Sequence, residues 1–456
     1  MAREATAEAR RFGRSAGMLS LGIGSAGVLT YLYFSLASHN LSRTQYGEVV
    51  VLWSAVFVLI SVLFRPIEQL LSRTIAERQA HAQPIGSTLR VAATIQLGLA
   101  TAFAVVALAL RGPIQDDLLS GNETLYWILV TAVLAFAASF FARGFLAGNR
   151  RFALYGALLF MESTARMSFA LAVALGIASG QTAVALGIIA APVLSLTVVP
   201  LAFAGRAVRG RGADPPPKPV EGSEFTLAHG GGFAAAVLLI MVSEQTLLNA
   251  GPLLVRASED AAAAGYIFNV LMIARAPLVL FQAVQTSLLP HLTRLRSSAT
   301  ATDADAFRLS IRFTLGAIAV FAGVVALIVL IAGPALMQVA FGDKFSYDRV
   351  GLLLVTVGMG FYLSSGALNQ AALARGQARF AAGCWVTAAV TFLVWNLLPV
   401  LSEFRRVEVG FLGCAALLCG LLYLLYRSAR VRAEDVLAPG SPEEIEARLA
   451  AADEAS

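Results

Sequence analysis

Apolar residues run along this chain in long blocks, each closed by a short break holding charge, glycine or proline. A helix needs roughly 20 such residues to cross about 30 Å of hydrocarbon, so each block reads as one crossing. The pattern predicts about twelve of them, near 15–37, 46–66, 85–110, 123–145, 152–178, 182–204, 229–255, 261–289, 309–332, 349–373, 379–401 and 408–426. The first block is too long and too rich in glycine (Gly17, Gly22, Gly24, Gly27) for a cleaved signal peptide, and is expected to be a true span.

Composition agrees with a chain whose solvent is the bilayer. Hydrophobic residues are 58% of the 456 positions and charged residues 14%. The net charge of +6 would point to nucleic acid in a soluble protein, but in a membrane chain it is read by side. Arginine and lysine concentrate at the N-terminus (Arg3, Arg10, Arg11, Arg14) and in alternate breaks: Arg143, Arg150 and Arg151; Arg206, Arg209, Arg211 and Lys218; Arg294, Arg296, Arg308 and Arg312; Arg427, Arg430 and Arg432. The intervening breaks are poorer, and several of their charges stand beside acids such as Asp116, Asp117 and Asp343. The positive-inside rule then predicts a multi-pass protein of the cell (inner) membrane with both termini cytoplasmic and no nucleic-acid partner. Cys384, Cys414 and Cys419 fall inside predicted spans and read as free, buried thiols.

The segment from Arg206 to Phe225, with Pro215, Pro216 and Pro217 in a row, reads as an extended cytoplasmic linker. It divides the chain into an N-terminal six-helix bundle (1–205), a linker (206–228), a C-terminal six-helix bundle (229–430) and a cytoplasmic tail (431–456). A capped acidic helix is expected from Ser441, with Pro442 in its first turn and Glu444 three residues after the cap. The breaks Leu146–Ala153 (LAGNRRFA) and Leu373–Ala381 (LARGQARFA) align with one gap and share a glycine, which suggests two repeats about an axis along the membrane normal.

Enzyme motifs are missing. Neither Lys218 nor Lys344 follows a GxxxxG loop, and His39, His81, His229 and His291 have no metal-ligand spacing. Asp303-Ala-Asp305 spells DxD without a nucleotide-binding domain around it, and reads as helix-start acids. No catalytic residue, metal or cofactor is expected. Ionisable groups inside spans carry the functional hypotheses, because hydrocarbon tolerates them only where they face protein or water. Glu162 lies about 15 Å into its span, with Arg166 one turn on, on the same face. A self-neutralised pair that fixes packing is the plainer reading of these two. Arg65 and Glu68 flank Pro66 near a span end, where snorkelling is the plainer reading. Arg275 lies deeper, and Gln282 and Gln285 continue its polar stripe. Glu244 stands among Ser243, Gln245 and Asn249, while Asn369, Gln370 and Asn396 add uncharged groups.

Stretches spread over most of the chain resemble the multidrug/oligosaccharidyl-lipid/polysaccharide (MOP) flippase superfamily, and within it the O-antigen type polysaccharide flippases. These are the run from Gln45 to Arg78, the turn from Phe145 to Arg166, FQAVQTSLLPHLTRL from Phe281 to Leu295, and ALARGQARF from Ala372 to Phe380. The resemblance implies an all-α, MATE-like membrane fold of two six-helix bundles with pseudo-two-fold symmetry, rocking to expose a central cavity to each side in turn. It implies a flippase that carries a polyprenyl-pyrophosphate-linked oligosaccharide from the inner to the outer leaflet for cell-surface polysaccharide synthesis, with membrane lipids and polysaccharide-assembly enzymes as further partners. On that reading Arg65, Arg166, Arg275, Gln245, Asn249, Gln282, Gln285, Asn369 and Gln370 contact the substrate. Glu68, Glu162 and Glu244 then balance charge or couple an ion. A cation-coupled drug or small-molecule exporter of the same fold stays open as the alternative, with a membrane-embedded polymerase behind it. The first span lacks the acid that drug exporters of the superfamily carry there, whereas Glu244 suits that branch.

Overall fold

The computed structural model describes residues 2–80, 83–201, 227–275 and 301–437. Most of the linker, Gln282, Gln285 and the tail helix expected from Ser441 lie outside them. Among the described residues all regular structure is helical. Before the linker come α1 (Ala2–Asn40), α2 (Arg43–Leu63), α3 (Arg65–Ala80), α4 (Gly86–Ala109), α5 (Glu123–Gly148), α6 (Phe152–Ala174) and α7 (Gly180–Ser195). After it come α8 (Leu227–Ser258), α9 (Ala261–Arg275), α10 (Ala301–Phe341), α11 (Arg349–Ala374), α12 (Ala378–Leu397) and α13 (Glu403–Leu437). Eleven stretches among them are long and apolar enough to cross a membrane, and α9 begins the remaining one of the twelve expected, up to the last described residue before 276.

The second span departs from its expected end at 66. The chain breaks for a single residue at Phe64 and resumes as α3, so that Arg43–Gln79 forms a 37-residue apolar stretch. Pro66 sits in the first turn of α3, where its missing N–H costs no intrahelical bond, so it restarts the helix instead of stopping it. α3 lies against α5 because α5 offers glycines there. A methyl carbon on Gly144 would stand 2.8 Å from the Glu68 carbonyl oxygen, and one on Gly148 2.7 Å from the Ile75 Cβ. Ile67, Leu71 and Ile75 fill that seam against Ala142, Leu146 and Leu158.

Two shifts of register relate the halves. Moving by 226 positions (349 against 123, 374 against 148) carries α5 onto α11, and its capping residue Asn122 onto Asp348. Each cap accepts a bond from the backbone N–H three residues on, at Leu125 and Gly351. Both helices end in the same turn, with a six-to-one bond from Arg151 N to Leu146 O and from Gln377 N to Ala372 O. The left-handed residue of each turn is Arg150 or Gly376, so Gly376 corresponds to Arg150 and not to Gly148, the glycine with which the sequence aligns it. A shift of 218 positions (258 against 40, 261 against 43) carries the α1–α2 corner onto α8–α9. Here Ser42 caps at Gln45 N, and Asp260 caps at Ala263 N.

The halves meet at one end of the bundle, the end with the 41–42, 259–260 and 342–348 connections. Gly47 and Gly265, equivalent under the second shift, face each other there: a methyl carbon on Gly265 would lie 3.3 Å from Gly47 Cα. Phe34 packs on Phe268 with ring centroids 4.5 Å apart, Tyr46 on Phe345 at 5.0 Å, and the Tyr46 hydroxyl donates to Asn269 Oδ1. The opposite end is arginine-rich and carries Arg150, Arg151, Arg375 and Arg379. α10 turns most of its 33-residue apolar stretch (Leu309–Phe341) outward, where lipid would cover it.

Candidate functional site

The N-terminal half builds a buried charge cluster on α5 and α6. Glu162 and Arg166 are one turn apart on α6, and Arg166 Nη2 lies 3.2 Å from Glu162 Oε1. The other carboxylate oxygen takes Arg143 Nη2 from α5, with Ser139 Oγ 3.4 Å away. Glu162 therefore serves two guanidiniums, and all three residues are buried. The excess positive charge spreads over ring faces. The Arg166 guanidinium carbon stands 4.4 Å from the Trp53 ring centre and 5.6 Å from Phe57, and that of Arg143 4.5 Å from Phe140. A second carboxylate, Glu68 on α3, lies within electrostatic reach of Arg143 and accepts a 2.7 Å bond from the Tyr155 hydroxyl. The result is a ladder of alternating sign, Arg166, Glu162, Arg143 and Glu68, stepping from mid-helix toward the arginine-rich end.

Arg143 reads from the sequence as a loop charge on the cytoplasmic side; it is instead an inward-facing residue of α5, five positions before the helix ends. The signal that finds it is the 226-position shift, which carries Arg143 onto Asn369 and Ser139 onto Ser365, both already polar positions within a span.

The C-terminal half gathers a different set. Arg275 Nη1 donates to Asn249 Oδ1 at 3.2 Å, and Asn249 Nδ2 donates to Gln245 Oε1 at 2.8 Å. Tyr362 lies among these groups, within electrostatic reach of Glu244 and Arg275 and, from the other half, of Arg65. Its ring stands edge-on to Trp385 at 5.9 Å, and Trp385 Nε1 donates to Asn369 Oδ1 at 3.1 Å. Gln370 Oε1 is buried without a hydrogen-bond partner among the described residues. Asn396 bonds its own helix at the Phe392 carbonyl. Glu244 and Arg275, whose depths differ by roughly 10 Å on helix rise alone, form no ion pair; Tyr362 mediates between them.

The repeat makes the contrast between the halves specific. Phe57 corresponds to Arg275 under the second shift and Phe136 to Tyr362 under the first. Phe57 and Phe136 pack as rings with centroids 5.9 Å apart, whereas Arg275 and Tyr362 are polar groups within electrostatic reach of each other. One pseudo-symmetric contact is thus apolar in the first half and polar in the second. Arg65, Glu68, Glu244, Arg275 and Gln370 are half-buried, while Glu162, Arg166, Gln245, Asn249 and Asn369 are buried. Gln282 and Gln285 lie outside the described residues. No group of three His, Cys, Asp or Glu side chains suited to a metal ion occurs among the described residues.

A bundle of membrane-spanning helices in two halves joined at one end, with ionisable groups from both halves around one tyrosine, defines the class of architecture. Solved structures that superpose on this chain include MATE transporters. An inward-facing multidrug resistance MATE family transporter of the MOP superfamily superposes with a TM-score of 0.63 at 12% identity, covering 92% of this chain and 99% of the other. A point mutant of the Vibrio cholerae MATE transporter VcmN gives 0.62 at 16% identity, covering 93% and 97%. A MOP superfamily transporter from Pyrococcus furiosus, described as having a binding pocket of reverse polarity, gives 0.54 at 13% identity, covering 91% and 95%. No family model matches the chain, and no curated protein does. The fold is therefore MATE-like, as the sequence resemblance implies.

Proposed function

We propose that the protein is a cation-coupled exporter of a small amphiphilic organic molecule, working by alternate exposure of the space between its halves. The observation that carries this reading is the bonded series Arg275, Asn249 and Gln245 in one half, with Tyr362 within electrostatic reach of Arg275 and Glu244 and, from the other half, of Arg65. A site assembled from both halves changes when they move against each other, so a ligand or ion bound there is coupled to the motion. Glu244 is half-buried on α8, and no ion pair joins it to another described residue. On this reading Arg65, Arg275, Asn249, Gln245, Asn369 and Gln370 line or support the substrate site and Glu244 couples the ion. Glu162 and Arg166, buried in the first half, act through the shape of their bundle. The arginine-rich end faces the cytoplasm of a cell membrane, in keeping with the positive-inside rule. Across the bundle, at the end where the halves join, Arg111, Arg405 and Arg406 are offset by local carboxylates at Glu123, Asp348 and Glu403.

A second reading, flipping of a polyprenyl-pyrophosphate-linked oligosaccharide, has a specific observation in its favour. Arg65 and Arg275 present two cations around Tyr362, while the described part of the first span, Leu21–Asn40, contains no carboxylate. One experiment separates the readings. Purified protein in vesicles is given organic cations and, separately, a labelled polyprenyl-pyrophosphate oligosaccharide, with proton and sodium fluxes recorded. Organic-cation movement that stimulates an ion flux, both lost in Glu244→Gln, supports the exporter. Movement of the lipid-linked sugar to the opposite leaflet, insensitive to Glu244→Gln and lost in Arg275→Gln, overturns it in favour of the flippase.

A further inference from the structure

At the end where the halves join, equivalent glycines let two backbones touch. A methyl carbon on Gly47 would overlap the Ala261 carbonyl oxygen, and one on Gly265 would stand 3.1 Å from the Tyr46 ring. Any side chain at Gly47 therefore wedges α2 away from α9. Because Gly47 and Gly265 are related by the same shift that relates the two helices, the pseudo-symmetry axis runs through their contact.

Around this contact three cations reach from one half to the other, and none closes an ion pair with a described carboxylate. Lys344 Nζ, in the 342–348 connection, lies 2.7 Å from the Leu41 carbonyl oxygen, 3.1 Å from that of His39 and 3.4 Å from that of Ser38. These are the open carbonyls at the C-terminal end of α1, where a cation is favoured by the helix dipole. Arg256 donates to the Leu118 carbonyl at 3.2 Å and to Ser120 Oγ at 3.1 Å. Arg43 stands over the Tyr266 ring at 5.8 Å.

We propose that Gly47 and Gly265 are the pivot, and Lys344 the principal clasp, of an outer gate that parts to release substrate. The proposal rests on the alternate-exposure reading for its purpose, but not for its geometry. Cation-to-carbonyl bonds hold such a gate without making it permanent, since both partners regain water when the halves separate and no opposite charges are pulled apart. The closed state also carries a built-in cost. Asn269 is fully buried and its Nδ2 has no hydrogen-bond partner among the described residues, a penalty that water relieves on opening. The gate is poised, not locked.

The test uses the full-length protein in lipid nanodiscs, its native cysteines replaced, with spin labels at Asn40→Cys and Ser346→Cys. Both positions are on the accessible rim of this end, one in each half. Pulsed electron resonance is expected to show mainly the short distance in the otherwise unaltered chain. Lys344→Met, which keeps length and loses charge, raises the long-distance fraction severalfold, and Gly47→Leu abolishes the short distance. Gly316→Leu, at a site where an added carbon meets nothing within 4 Å, leaves the distribution unchanged. Unchanged distances in folded Gly47→Leu overturn the pivot, and unchanged distances in Lys344→Met overturn the clasp. Should Gly47→Leu not fold, Gly47→Ala must show the same direction of shift or the pivot falls. The readout needs no substrate: shifted distances in a protein that moves nothing overturn the transport reading and leave the gate standing.

Discussion

Glu162 holds two buried guanidiniums, so its charge cannot be removed without stranding both. Glu162→Gln is expected to destabilise the protein by about 3–5 kcal/mol, the usual cost of breaking a buried pair from one side. The change should appear as a lower melting temperature in detergent. Glu244→Gln, which keeps the size and polarity of a half-buried side chain, is expected to change stability by no more than about 0.5 kcal/mol while lowering transport. Equal losses of stability in the two variants would remove the distinction between a packing carboxylate and a working one. The Glu162–Arg166 pair is legible in the sequence because four residues are one helical turn. Arg143 is not, since a charge five residues from a helix end looks the same whether it snorkels to water or turns inward, and only the tertiary partner decides. The electrostatic link between Arg65 and Tyr362 is equally invisible, because their separation of nearly 300 positions carries no periodicity.

At the scale of the element, glycine positions decide which helices approach closely. Gly148→Leu is expected to cost about 1–3 kcal/mol, because overpacking forces α3 off α5 at Ile75. Gly98→Leu on α4, with open space around it, should be nearly neutral. Thermal unfolding of the two variants side by side checks this, and a neutral Gly148→Leu would mean that α3 does not pack on α5. The spans themselves follow from hydrocarbon thickness, which is why eleven of the twelve expected crossings recur with shifts of only a few residues at most ends. The end of the second span is not legible, since Pro66 reads as a break in the sequence, whereas the first turn of α3 absorbs it. The repeat was half legible. Shared letters in the two turns point to it, but they pair Gly376 with Gly148, whereas backbone conformation pairs it with Arg150. Capping residues at Ser42 and Asp260, and at Asn122 and Asp348, carry the true register in a chemistry that letter-by-letter alignment does not score.

For the molecule as a whole, orientation is the property that charge asymmetry predicts and labelling can measure. With the native cysteines replaced, Gln377→Cys should react with a membrane-impermeant thiol reagent only after the cells are opened, and Ser402→Cys in intact cells. The reverse pattern would invert the topology, and with it the direction of transport. α10 ties the molecule to the thickness of the membrane around it. Its apolar stretch of 33 residues rises about 50 Å, well beyond the hydrocarbon thickness of about 30 Å, and it lies on the lipid side of the bundle. Such a helix must tilt, or the surrounding acyl chains must stretch to meet it. Turnover should therefore climb with acyl-chain length in defined vesicles, so that the thickness of the host membrane acts as a tuning parameter on the machine inside it.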